Sequence, residues 1–416
     1  MVATLRAVQL LAAAVLAGVP AFGALIWQPS LTSLAPDGDR EALAEAQARW
    51  GRLLATAAGA ALALAALADL LRIAASLRPV PFLSGPHLQT ALALATGSRL
   101  GRLYALRAIL ALAVLACRPW RPGRRGPTAA ALALSLLLLA TLSLSGHAAA
   151  TPGNPVWPVA ADLLHLAATA AWYGGLLCFA LLPWRTLERG EAGTVVPQVF
   201  HRFSNLGLAA MAVLVGTGLY MAALRLYGLL ALVEHPYGQA LLVKLSFLAG
   251  VLALAGVNRF WLRPRLARQP SGPGPGTFRA IRWLVTAEAA LGLCVVAAAG
   301  VLASAAPPQG EPVRLSVTLV DHRFDPATLE VPANRPVRLT LTNRGSTIHS
   351  FVVLQMPHEM LSGGHQHGES DPMVVFVQPG QSTTVTFVAL RPGEYLIYCM
   401  IGYHREQGMV GTLIVR

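Results

Sequence analysis

The sequence predicts an all-α polytopic membrane domain of about eight transmembrane helices followed by an all-β Greek-key sandwich. Composition is the first reason: 55% of the 416 residues are apolar and only 12% are charged, with a mean hydropathy of +0.56, too apolar for a soluble chain of this length. The second is the set of apolar stretches before residue 306, most of them near or above the roughly 18 residues that cross a bilayer. The third is a change of pattern from Val313 onward to short alternating runs divided by Pro, Gly and Asn, the signature of strands and turns.

In chain order the predicted spans are Val8–Trp27, Leu53–Leu71, Leu103–Ala116, Ala129–Ala150, Ala160–Leu182, Leu206–Leu224, Ala240–Val257 and Trp283–Ala305. Leu103–Ala116 is slightly short and begins among arginines. The first stretch is long for a signal-peptide core and no small-x-small cleavage site follows it, so it reads as an uncleaved helix. Trp27, Trp120, Trp157, Trp184 and Trp261 fall near predicted helix ends, as an aromatic belt would. A membrane domain over 1–305, a linker over 306–312 and a sandwich over 313–416 follow. Strand-like runs in the last part are Val313–Val320, Thr328–Val331, Val337–Thr342, Ile348–Leu354, Val374–Val377, Thr383–Ala389, Gly393–Tyr398 and Val410–Val415.

The net charge is +13, yet residues 313–416 carry eight Arg against eight Asp or Glu, so the excess lies in the membrane part. Lys244 is the sole lysine. The arginines cluster at Arg118–Arg125, Arg185–Arg202 and Arg259–Arg282, loops that the positive-inside rule assigns to the cytoplasm. They hug helix ends and lack interleaved aromatics, which argues against nucleic acid as a partner. The last helix then runs outward and delivers the sandwich to the extracytoplasmic side. The four cysteines make no disulfide framework: Cys117, Cys178 and Cys294 lie in or beside apolar helices, and Cys399 ends a strand.

Cys399 opens the segment Cys399-Met400-Ile401-Gly402-Tyr403-His404-Arg405-Glu406-Gln407-Gly408-Met409, with His349 on an earlier strand. A thiolate, two imidazoles and a thioether at these offsets make a complete type-1 copper ligand set. Residues 313–416 resemble the cupredoxin family throughout. The resemblance implies His349, Cys399, His404 and Met409 as the ligands of one type-1 copper, with His404 near the surface as the port for electrons or metal.

Ionisable groups inside a bilayer cost about 2.5–3.5 kcal/mol each on insertion scales. Asp162 and His165 share one helix face, and the carboxylate can fix the tautomer of the imidazole or share a metal with it. His147 ends the preceding helix near the same level. Lys244 and Glu288 sit in apolar helices and could pair. Residues 150–305 resemble the membrane domain of the copper-resistance D family, and the likeness reaches weakly back to the N-terminus. It is carried by Ser145-Gly146-His147-Ala148, Asp162-Leu163-Leu164-His165, Trp172 with Gly174-Gly175, and His201-Arg202-Phe203-Ser204. Tyr237 to Lys244, Asn258-Arg259, Arg263 to Leu266 and Glu288 continue it, and Thr96-Gly97 with Arg107 echo it upstream. The family is implicated in moving copper across the inner membrane or in copper tolerance, often beside an extracytoplasmic copper carrier.

His147, Asp162, His165, Lys244 and Glu288 are thus a candidate copper pathway with possible further copper bound, or else staples between helices. Met356, His358, Met360, His365 and His367 form a loop that either binds copper as an auxiliary site or is merely solvated. The leading reading is a non-enzymatic copper transport or homeostasis protein of the bacterial cytoplasmic membrane, with the tethered copper domain capturing metal outside. The alternative is a membrane-anchored blue-copper electron carrier serving a respiratory redox partner.

Overall fold

The computed structural model describes residues 2–32, 38–78, 80–117, 125–151, 154–182, 184–188, 190–226, 231–234, 236–269, 272–305, 312–333, 335–362 and 372–416. The chain divides into a helical unit and a β unit. Residues 306–311 of the linker, the arginine-rich loop 118–124, and His365 with His367 lie outside the described residues.

Among the described residues, eight helices have the length and apolarity to cross a membrane: α1 Val2–Leu31, α2 Arg40–Leu77, α4 Arg99–Cys117, α5 Gly126–Leu144, α6 Val156–Ala180, α7 Gly193–Arg225, α8 Pro236–Ala267 and α9 Pro275–Leu302. A shorter helix, α3 Gly85–Gly97, precedes α4; hydropathy gave no sign of it, and Ser84 caps it by accepting from the His87 amide. α1 is the most enclosed span and packs on α2, α5, α6 and α9, burying Leu16, Phe22, Ile26 and Trp27. It approaches α6 backbone to backbone: a Cβ on Gly18 would stand 2.5 Å from the Gly174 Cα, so neither position accepts a side chain. α8 is the least enclosed and packs chiefly on α9. Its exposed Leu252 and Phe260, like Leu219 of α7 and Trp283 of α9, present apolar surface that suits contact with lipid.

Among the described residues, three spans contain a π-helical turn, at Gly23–Trp27 in α1, Ala170–Gly174 in α6 and Asn258–Leu262 in α8. Such turns widen a helix by one residue and re-aim its side chains. α5 stops at Leu144, earlier than expected, because Ser145 and Gly146 bond back three residues to Leu142 and Ser143. His147 therefore lies in the turn after the helix instead of ending it.

The β unit is a sandwich of two five-stranded sheets, ordered β2-β1-β4-β8-β6 and β3-β10-β9-β5-β7. The strands are β1 Val313–Val320, β2 Arg323–Asp325, β3 Thr328–Val331, β4 Pro336–Asn343, β5 His349–Val353, β6 His358–Ser362, β7 Met373–Val377, β8 Ser382–Ala389, β9 Gly393–Tyr398 and β10 Val410–Val415. Non-sequential neighbours such as β4 and β8, or β5 and β9, are the crossovers of a Greek key. Inward residues of both sheets, among them Val317, Leu339, Leu341, Phe351, Val385, Phe387, Ile397 and Leu413, fill the core.

Part of the supposed metal loop is strand. β6 pairs antiparallel with β8, with Met360 opposite Phe387, and both Met356 and Met360 are buried in the core. Both side chains lie in the sandwich core, and His358, in the described part of that loop, donates from Nδ1 to the Met356 carbonyl at 2.9 Å.

Candidate metal centre

The site is built at one end of the sandwich, where two strands hand over to loops. His349 is the first residue of β5, and every residue of that strand is buried. Cys399 follows the last residue of β9, and Met409 immediately precedes β10. The intervening loop is held by its own backbone: Cys399 N donates to Met409 O at 3.2 Å, Met409 N to His404 O at 2.9 Å, and His404 N to Ile401 O at 3.1 Å. Gly408, at φ +103°, takes a conformation that side-chain-bearing residues rarely adopt, and this lets the loop return to the sheet directly before Met409.

This folding brings His349, Cys399 and His404 together. Their ligand atoms all lie within 4.8 Å of one another, the one such group of three among the described residues. His349 Nδ1 and His404 Nδ1 are 3.2 Å apart, and Cys399 Sγ is 3.6 Å from His404 Nδ1. Cys399, His349 and Met409 are buried while His404 is half-buried, so the group has one wet side. Met409 is fully buried in the same core cluster as Cys399, with its backbone tied to both loop ligands.

The donors fit copper. Two imidazoles and a cysteine sulfur suit it, and Met409, buried in the same cluster as Cys399, carries the thioether that such a set would use. Burial holds His349 below the usual imidazole range, which favours the neutral form that binds metal, although the Asp321 carboxylate opposes this shift.

Three residues that organise the site were not singled out from the sequence. Asp321, in the β1–β2 turn, accepts from the Ser346 amide at 2.9 Å and the Ser346 hydroxyl at 3.1 Å, and its Oδ1 stands 3.4 Å from His349 Nε2. The Ser346 amide is the first cause that keeps this carboxyl below its ordinary range. Asn343 is fully buried; its amide donates to the carbonyls of Thr347 and Val377 while its oxygen accepts from the Gly345 amide, fixing the loop that aims His349. Ser350 donates its amide toward Cys399 Sγ at 3.4 Å and accepts from the Met400 amide at 2.8 Å. Asp321 and Ser350 act across long sequence separations, and Asn343 joins its own loop to Val377 thirty-four residues away; only the proximity of Ser350 to a ligand in sequence gave any signal.

In the helical unit the candidate residues are divided among several partners. Asp162 accepts from Ser143 Oγ at 2.7 Å, joining α6 to α5, whereas His165 Nδ1 meets Thr217 Oγ1 of α7 at 2.9 Å. Glu288, buried in α9, accepts from Asn258 Nδ2 at 2.9 Å, at the start of the α8 π-turn. The expected pairing of Glu288 with Lys244 gives way here. Lys244 lies fourteen residues before Asn258 on the same helix, roughly 21 Å along its axis at 1.5 Å per residue. Glu288 and Asn258 instead line a cavity of about 260 Å3 with Trp172, Phe203, Met211 and Arg259.

A larger polar network also escaped sequence reading. Arg107, fully buried in α4, donates to Gln9 Oε1 at 2.6 Å, to Thr141 Oγ1 at 3.1 Å and to Ser145 Oγ at 2.7 Å, and it stacks on the Tyr104 ring. Gln9 donates in turn to Asp69 at 2.8 Å, and Asp69 also receives Arg72 at 3.1 Å. The network links α1, α2, α4 and the end of α5, immediately before the turn carrying His147.

The fold and these residues define a class: a polytopic membrane protein bearing a cupredoxin-like sandwich with a copper-suited donor set. Comparison with known families agrees. The model of the Copper resistance protein D-like N-terminal domain matches residues 1–157, that of Copper resistance protein D matches 197–302, and the Cupredoxin-like domain matches 292–415. The chain belongs to the copper-resistance D family, with a cupredoxin-like domain fused at its C-terminal end. It is similar to Copper resistance protein D of Pseudomonas syringae pv. tomato, 34% identical over 34% of this chain and 48% of the relative. Copper transport protein CutJ of Bacillus subtilis is 29% identical over 48% of this chain and 35% of the relative. The copper-resistant cuproprotein CopI of Rubrivivax gelatinosus is 32% identical over 23% of this chain and 60% of the relative. The chain thus spans about half the length of the first relative and about a third of the second.

Proposed function

We propose that this protein moves copper through the cytoplasmic membrane, its C-terminal sandwich capturing the metal on the extracytoplasmic side and presenting it to the helical domain. The convergence of His349, Cys399 and His404 carries the first half of this reading, because no other described group offers three metal-ligating side chains. His349, Cys399, His404 and Met409 would hold the ion; bound there, copper is a tightly ligated ion that can be exchanged or reduced and reoxidised. The protein residues supply the rest: Asp321 steadies His349, Ser350 donates to the thiolate, and half-buried His404 faces the exchange side.

The second half rests on the membrane domain. An electron carrier needs one anchoring helix, and here eight spans enclose a charged network and buried carboxylates. His147, at the turn after α5, and His165 with Asp162 on α6 supply imidazole and carboxylate ligands between α5, α6 and α7. Glu288, Asn258 and Met211 line the cavity bordered by α6, α7, α8 and α9. The C-terminal side of the membrane is tested by a reporter fused after Arg416, expected outside, against reporters at Arg124 and Pro270, expected inside. A cytoplasmic C-terminus would remove the capture role.

A further inference from the structure

The β1–β2 turn places a fifth metal-binding side chain beside the site. His322 is exposed, and it holds a left-handed backbone conformation, φ +67°, that turns its ring onto His404. The two imidazoles meet edge to face with centroids 5.3 Å apart. His322 stands outside the group of three converging donors. Its chain neighbour Asp321 is the carboxylate that reaches His349, so one two-residue turn touches both histidines of the centre.

We propose that His322 is a capture ligand, which binds a copper ion arriving at the surface and passes it to His404 and so into the site. The inference rests on the reading of His349, Cys399 and His404 as copper ligands. Imidazole nitrogens bind first-row metals at about 2 Å, which puts the centroids of two rings sharing one ion about 4 to 6 Å apart. The observed spacing falls in that range, as the sharing of one ion by His322 and His404 requires. Transfer then proceeds by replacing one ligand at a time: His322 binds first, His404 joins it, and His322 is released as Cys399 and His349 complete the set. Without His322, an incoming ion must make its first bond to an imidazole that is already half-buried.

A capture ligand speeds loading and unloading equally and leaves the loaded state unchanged, which separates it from a structural role. The test uses the full chain in detergent, stripped of metal and mixed rapidly with Cu(II), with the thiolate-to-copper absorption followed in time. His322→Asn is the variant of choice because Asn tolerates the left-handed turn. The expected result is severalfold slower loading, equally slower removal by a chelator, an identical final spectrum, and recovery of the rate on adding free imidazole. Unchanged rates would overturn the proposal and leave the copper site standing. An altered final spectrum would make His322 a resident ligand and also overturn it. Absence of any absorption band in the wild type would instead sink the underlying reading of the site.

Discussion

Gly345 is the position where a single methyl group tests how the centre is organised. It lies between β4 and β5, and a Cβ placed there would sit 2.5 Å from both His349 Nε2 and Asp321 Oδ1. Ordinary contact begins at 3.4 Å, so Gly345→Ala must open the site by roughly 0.9 Å. The His349 ring is 0% exposed, whereas the Asp321 side chain is 46% exposed. Asp321 swings into water and His349 loses its carboxylate partner, but this relieves only one of the two contacts, so the loop or the buried His349 ring must shift as well. Because Asp321 is exposed, the contact contributes little stability by itself; what is lost is orientation of the ligand. Removing such an outer partner lowers metal affinity by about 10–100-fold, or about 1.4–2.8 kcal/mol. Competition against a copper chelator, read by the thiolate-to-copper band, measures it. Wild-type affinity with an unaltered band in Gly345→Ala would refute the assignment of Asp321 as the group that holds His349.

Other expectations follow from the same geometry. Cys399→Ser should abolish the intense charge-transfer band while the sandwich stays folded by circular dichroism, because Cys399 is the thiolate of the converging group; a band surviving this change would contradict it. Arg107→Met leaves Gln9, Thr141 and Ser145 without their buried donor, and should destabilise the helical domain by about 1–3 kcal/mol for each acceptor left unpaired. Exposed Leu112→Ala on the same helix should cost far less, and equal unfolding midpoints for the two variants would refute the network's role. In the metal-free protein His349 is held below the usual imidazole range, so the unfolded chain takes up its proton first as the pH falls. The contribution of His349 to stability is complete above about pH 6.5 and is lost as the pH drops toward its folded value, with Asp321 adding a further loss at more acidic pH. Thermal unfolding of the metal-free sandwich should therefore weaken below pH 6.5 in the wild type and more shallowly in His349→Gln.

The converging donors were legible because three of the four candidate ligands sit in one eleven-residue segment and the fourth lies in the run Ile348–Leu354, which reads as a strand. The spans were legible because a bilayer demands long apolar runs. What supports them was not. Arg107 finds Gln9 ninety-eight residues away on another helix, and nothing in either local sequence announces the pair. The Lys244 and Glu288 pairing failed on axial position, since antiparallel packing of α8 and α9 sets Glu288 against Asn258 instead. Strand β6 was hidden by the Gly- and His-rich composition that follows it, although Met356 and Met360 already marked an inward face.

Copper flux into liposomes tests the central claim most directly. The full chain is reconstituted with a copper-sensitive dye inside, and the rate is normalised to protein in the membrane. Flux above that of empty vesicles is predicted for the wild type, with strong loss in the His147 and His165 double alanine variant at undiminished protein levels. Flux per molecule unchanged in that double variant would contradict a pathway through these residues, and no flux from the wild type would contradict transport itself.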